Sequence, residues 1–180
     1  MIQPITKNEY QRLYDYWNHK LSNEIVDRNV NLPGKTPGTF YKYMFSSRRA
    51  LFNPEFLRAA TKMFEYRVAH EIGHTNFQLT GLETGATPLL IGIPLCATVP
   101  IHSFVLRKER KQYGFQNFHE GIIKPDLPCM LVDDISHSQN TMAKAYELLK
   151  ENNIPVFSHS FVIIAKNRPN KLPFKEISLF

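Results

Sequence analysis

Cysteine is scarce: 180 residues contain two, Cys96 and Cys129, both inside apolar runs. That argues against a disulfide-stapled scaffold and reads both as reduced core thiols of a cytosolic protein. Long apolar runs are also missing, and nothing approaches the ~20 residues of a membrane span. The first twenty residues mix Gln, Asn, Glu, Arg and Tyr without an apolar signal core, so neither secretion nor membrane insertion is expected. A cytoplasmic location follows as the expectation. Acidic residues are in deficit, 16 against 22 Lys and Arg, for a formal charge of +6 and a pI near 9.3. Such a balance favours an anionic ligand. The densest basic cluster, Arg107-Lys108-Glu109-Arg110-Lys111, is too small a footprint for nucleic acid, and Arg48-Arg49 forms a lesser one.

No repeat, low-complexity tract or linker divides the chain, and 180 residues suffice for one buried core. A single domain over 1–180 is expected, with 1–45 as a variable N-terminal hood and 46–180 as the core. Tyr10, Leu13, Tyr14 and Trp17 predict a one-faced helix within residues 1–28. Pro33, Gly34, Pro37 and Gly38 predict a loop over 31–39, and Phe40–Phe45 a short strand. Asn53-Pro54-Glu55 is a helix start, with Asn as cap, Pro in the first turn and a carboxylate behind it. That helix places Leu57, Ala60, Phe64 and Val68 on one side and fades near Gly73. Strands are then predicted over Thr75–Thr80, Ile101–Leu106, Cys129–Val132, Val156–Ala165 and Glu176–Leu179. Helices are predicted over Ala86–Cys96, bent at Pro94, and Thr141–Asn152, with a charged excursion over 107–121. Alternating strands and helices imply an α/β fold, a central and mainly parallel sheet flanked by helices.

Three segments carry candidate chemistry. Gly81-Leu82-Glu83-Thr84-Gly85 is a turn between strand and helix. Arg107-Lys108-Glu109-Arg110-Lys111-Gln112-Tyr113-Gly114 is a basic strap. The third runs Leu131-Val132-Asp133-Asp134-Ile135-Ser136-His137-Ser138-Gln139-Asn140-Thr141. In the last, an apolar strand ends in two adjacent carboxylates, then a small polar loop, then a helix start. An α/β protein holds a sugar phosphate at such a corner: loop amides and the helix N-terminus take phosphate, and carboxylates accept bonds from hydroxyls.

Taken in order, these segments resemble the type I phosphoribosyltransferases, and among them the orotate phosphoribosyltransferases, over roughly residues 34–180. There the strap typically reads Arg-Lys-Glu-x-Lys-x-His-Gly and the third segment Val-Asp-Asp-Val-x-Thr-Thr-Gly-Gly-Thr/Ser. The resemblance implies Mg²⁺-dependent transfer of a phosphoribosyl group from phosphoribosyl pyrophosphate (PRPP) to a nitrogenous base. It gives Asp133 and Asp134 the ribose hydroxyls and the magnesium-bound substrate, with no direct metal ligand assigned. It gives Glu83, Thr84, Gly85, Arg107, Lys108, Lys111 and Tyr113 the pyrophosphate, Lys108 serving catalysis with the acidic pair. It makes Ser136, His137, Ser138, Gln139, Asn140 and Thr141 the 5′-phosphate loop. Because the relatives' strap reaches into the neighbouring subunit, a homodimer with shared sites is implied.

The departures are as informative as the matches. Gln139-Asn140 stand where the family has glycines that bring backbone N–H groups to the phosphate. Tyr113 replaces the strap histidine. Lys166 replaces an arginine that holds the pyrimidine, so orotate is expected to be a poor acceptor, with Lys35 of the Gly34–Thr36 turn, which resembles the family's base-contacting entry loop, as the expected substitute contact. A non-catalytic PRPP- or nucleotide-binding regulator on the same fold is the alternative expectation. His70-Glu71-Ile72-Gly73-His74 also fits His-Glu-x-x-His, a zinc pattern. The predicted helix is ending there, however, and Thr80 stands where a third ligand would be needed. Polar groups at a helix C-terminus, where His suits the dipole, are the ordinary reading.

Overall fold

A computed structural model describes residues 4–24, 26–33, 37, 38, 40–109, 117–166, 170 and 172–180. The first helix, α1 (Lys7–Glu24), opens on a reciprocal cap in which Thr6 Oγ1 accepts from Glu9 N and Glu9 Oε2 accepts from Thr6 N. Its Trp17 and Leu21 are buried, Trp17 edge-on to Phe56 at 4.9 Å between ring centres. The helix stops before residue 28 because the chain re-forms as β1 (Val26–Pro33), paired antiparallel with β2 (Phe40–Phe45) from Val26↔Phe45 to Pro33↔Phe40. The predicted loop is thus shorter than 31–39 at its front end.

A short helix, α2 (Ser47–Leu51), precedes α3 (Pro54–Glu71). At α3 the expected cap is in place: Asn53 Oδ1 accepts from Glu55 N at 2.9 Å. Phe56, Ala60, Phe64 and Val68 form its buried stripe, while Leu57 lies off-centre against Gly92 of α4 (Thr87–Cys96). The remaining elements are β3 (Gln78–Leu82), β4 (Ser103–Leu106), β5 (His119–Gly121), β6 (Cys129–Ser136), α5 (Asn140–Glu151), β7 (Val156–Ala165) and β8 (Lys175–Ser178).

Six strands form one sheet in the order β5-β4-β3-β6-β7-β8. All neighbours are parallel except the edge pair β4–β5, which is antiparallel. The expected mainly parallel sheet is therefore present, with β5 as a strand inside what reads as a charged excursion. Alternation along β6 sends Met130 and Val132 to the face covered by α1, α3 and α4, and Cys129 and Leu131 to the face covered by α5. Both faces being buried explains the near-continuous apolar strands. Two expectations need correction. The third segment's strand continues past Val132 to Ser136, because Asp133, Ile135 and Ser136 pair with Val162, Ile164 and Ala165 of β7. Cys96 is exposed at the end of α4; only Cys129 is buried, and burial pushes its thiol up to about 12. Among the described residues, no helix is long and apolar enough to cross a membrane.

Candidate functional site

Three chain corners meet at the carboxyl edge of the sheet: Glu83-Thr84-Gly85 after β3, Arg107-Lys108 after β4, and the end of β6. The chain winds from β3 to β4 on one side and returns to β6 on the other, which opens a crevice at the carboxyl ends of β3 and β6.

Asp133 is buried and Asp134 half-buried. Asp134 N donates to Asp133 Oδ1 at 2.9 Å, Ile135 N to Asp134 Oδ1 at 2.8 Å, and Ser47 Oγ to Asp134 Oδ2 at 2.6 Å. Burial, and then the neighbouring Asp134 charge, raise the Asp133 carboxyl well above its ordinary range, while the Lys108 ammonium pulls it back. Gly85 faces the pair: a Cβ there would stand 2.7 Å from Asp134 Oδ1 and 2.8 Å from Asp133 Oδ1. A side chain would therefore hold the turn away from the carboxylates. Lys108 is pinned by its backbone, its N donating to Glu83 Oε1 at 3.1 Å and its O accepting from Lys144 Nζ at 2.8 Å.

Two cavities flank Asp133. One, of 190 Å³, is bounded by Arg48, Glu83, Thr84, Gly85, Lys108 and Asp134; the other, of 170 Å³, by Ser136, His137, Ser138, Gln139 and Met142. Asp133, Ile135 and Thr141 line both. A larger hollow of 360 Å³ between α5 and β7 shares no residue with either.

No protein-family model matches the chain. It is 27% identical over 109 residues to the orotate phosphoribosyltransferase of Methanococcus maripaludis, covering 61% of this chain and 57% of that protein. With the orotate phosphoribosyltransferase of Methanosphaera stadtmanae it shares 26% over 166 residues, 90% of this chain and 89% of the relative. A phosphoribosyltransferase structure from Corynebacterium diphtheriae superposes with a TM-score of 0.74 at 18% identity, over 96% of this chain and 95% of that one. The Mycobacterium tuberculosis orotate phosphoribosyltransferase, solved in complex with PRPP, gives 0.62 at 16% identity, over 89% and 78%. The fold is that of the type I phosphoribosyltransferases.

Within this phosphoribosyltransferase fold, the residues singled out from the sequence fall into groups. Glu83, Thr84, Gly85, Lys108, Asp133, Asp134 and Thr141 surround the first cavity, and Ser136, His137, Ser138 and Gln139 the second. Arg107 lines neither; its guanidinium pairs with Glu120 on β5. The Ser136 hydroxyl donates to Glu176 Oε2 at 2.6 Å. Lys166 sits beside the loop, its N donating to Ser136 O at 2.9 Å. Gln139 takes the left-handed conformation, φ 61°, with its side chain buried and donating to Asn170 Oδ1 at 2.7 Å; Asn140 already belongs to α5. Lys35, Lys111 and Tyr113 lie outside the described residues.

Ser47 and Arg48 were not singled out as site residues. Their element is too short to show periodicity, and the only available signal was the Arg48-Arg49 pair ahead of the Asn53 cap. The His-Glu-x-x-His stretch does not present its groups together. α3 ends at Glu71, Gly73 turns the chain at φ 84°, His70 Nδ1 bonds Tyr66 O at 2.8 Å, and Glu71 is held by Arg67 and Lys175.

Proposed function

We propose that this protein transfers a phosphoribosyl group from PRPP to a nitrogenous base and releases pyrophosphate. The two cavities meeting at Asp133 carry the reading. PRPP has a matching layout, a ribose between a 5-phosphate and a 1-pyrophosphate. Ribose hydroxyls would donate to Asp133 and Asp134, the pyrophosphate would lie beside Lys108 and the Glu83-Thr84-Gly85 turn, and the 5-phosphate would lie beside Ser138 and Thr141. The relatives' activity and the PRPP complex of the mycobacterial protein support this assignment. In the transfer, a lone pair of the acceptor nitrogen forms a bond to C1 as the C1–O bond breaks. Pyrophosphate leaves with that electron pair, and the acceptor's proton passes to solvent. Lys108 favours departure by neutralising charge that develops on the leaving oxygens.

Mg²⁺ fits as the ion of the substrate rather than as a resident metal. The donors at the acidic pair are all oxygens, and Mg²⁺ is commonly bound by one or two carboxylates together with substrate phosphates. The bound ion would supply further charge neutralisation on pyrophosphate. A homodimer remains part of the proposal, with Lys111 and Tyr113 as the strap residues offered to the neighbouring subunit, since Lys108 already lines its own chain's cavity.

The test is pyrophosphate release on adding purine and pyrimidine bases to protein with Mg²⁺ and PRPP, alongside thermal shifts with PRPP, ribose 5-phosphate and nucleoside monophosphates. A ligand that binds only the folded state must raise its stability. Orotate should be a weak acceptor, because lysine at position 166 offers a point charge in place of a planar two-pronged donor. Stabilisation by PRPP without turnover on any base would leave a phosphoribosyl sensor; no stabilisation by PRPP would overturn the reading.

A further inference from the structure

We propose that Arg48 is a pyrophosphate-binding residue of this site, delivered to it by α2. The inference rests on the phosphoribosyl-transfer reading and adds a residue to it. Ser47, only 5% exposed, fastens α2 to the acidic pair through its 2.6 Å bond to Asp134 Oδ2. The next residue, Arg48, therefore lines the 190 Å³ cavity with Lys108 and the Glu83-Thr84-Gly85 turn. It does not line the cavity of the Ser136–Gln139 loop, which assigns it to one end of the ligand.

Its neighbours leave it available. Asp134 accepts from Ser47 and Ile135 N, Glu83 Oε1 accepts from Lys108 N, and neither carboxylate pairs with Arg48. Among the described residues the Arg48 guanidinium makes no hydrogen bond or ion pair, whereas Arg107 is tied to Glu120. A planar guanidinium fork meets two phosphate oxygens in a fixed geometry, whereas the Lys108 ammonium acts as a point charge. Pyrophosphate carries several negative charges into a cavity that already holds carboxylates. A second cation on an element separate from the strap offsets that repulsion.

The experiment is calorimetry on the full chain with Mg²⁺ present, comparing the parent, Arg48→Gln and Arg48→Lys. The ligands are PRPP, inorganic pyrophosphate and ribose 5-phosphate. Arg48 is exposed, so neither variant should disturb folding, and matching urea midpoints verify this. Arg48→Gln should weaken PRPP and pyrophosphate by about ten- to a hundredfold, the range expected for losing a charge-assisted hydrogen bond. Arg48→Lys should recover part of the loss, and ribose 5-phosphate should bind all three proteins alike. Equal PRPP affinity in parent and Arg48→Gln, or an equal loss for ribose 5-phosphate, would overturn the role of Arg48 while leaving the transferase reading intact. A parent that binds neither PRPP nor pyrophosphate would overturn both.

Discussion

At Asp133, burial and the adjacent Asp134 charge keep a proton on the folded protein that the unfolded chain has already released at the same pH. The sign follows from linkage: with the folded-state pKa raised above the ordinary 3.8, this group's favourable contribution is complete below 3.8 and is lost as pH rises through the raised value. Asp133→Asn should therefore flatten the fall in urea stability with rising pH relative to the parent; parallel profiles would falsify this account of the carboxyl. The same variant should lose Mg²⁺–PRPP binding at every pH. Gln139 offers a second case. Its left-handed backbone costs about 1 kcal/mol that glycine would avoid. Its buried bond to Asn170 returns about 1 kcal/mol. Gln139→Gly should thus leave the urea midpoint nearly unchanged. PRPP affinity should move by less than about tenfold, because the loop already holds the shape that glycine would permit. A hundredfold tightening would mean that the glutamine side chain, not the backbone, blocks the phosphate.

Elements show which local signals survive packing. The Asn53 cap and the α3 stripe were legible because capping and helical periodicity are local. β5 and α2 were not, since three and five residues are too few to display a period. β6 runs beyond its apolar segment because Asp133 and Ser136, polar residues that read as loop, pair with Val162 and Ala165 of β7, a partner nearly thirty residues away. Gly81 reads as a turn glycine, yet it lies inside β3, where a Cβ would stand 2.3 Å from Val132 O on the adjacent β6. Gly81→Ala must push β3 from β6 and should cost about 1–3 kcal/mol, measured by urea unfolding, with PRPP binding weakened through displacement of Gly85. An alanine variant as stable as the parent would show that β3 and β6 have room to separate.

For the whole molecule, the proposed dimer makes a prediction that separates its two contributions. Mixing a Lys111→Ala subunit with an Asp133→Asn, Asp134→Asn subunit should restore part of the turnover, since one of the two hybrid sites has both intact sets. Sedimentation must show the mixed dimer; a monomer in solution, or a silent mixed dimer of an active parent, would confine each site to one chain. Sequence alone determined the mainly parallel α/β fold and the corner where the acidic pair, the Glu83-Thr84-Gly85 turn and Lys108 gather. Those features are local patterns in a fixed order, and strand ends of a parallel sheet necessarily share an edge. Tertiary structure decided the pairing of Arg107 with Glu120, the reach of Lys175 to Glu71, and the approach of Ser47 and Arg48 to Asp134. The Ser47–Asp134 bond spans 87 residues, and no sequence period records a contact that depends on how α2 is laid across the sheet edge.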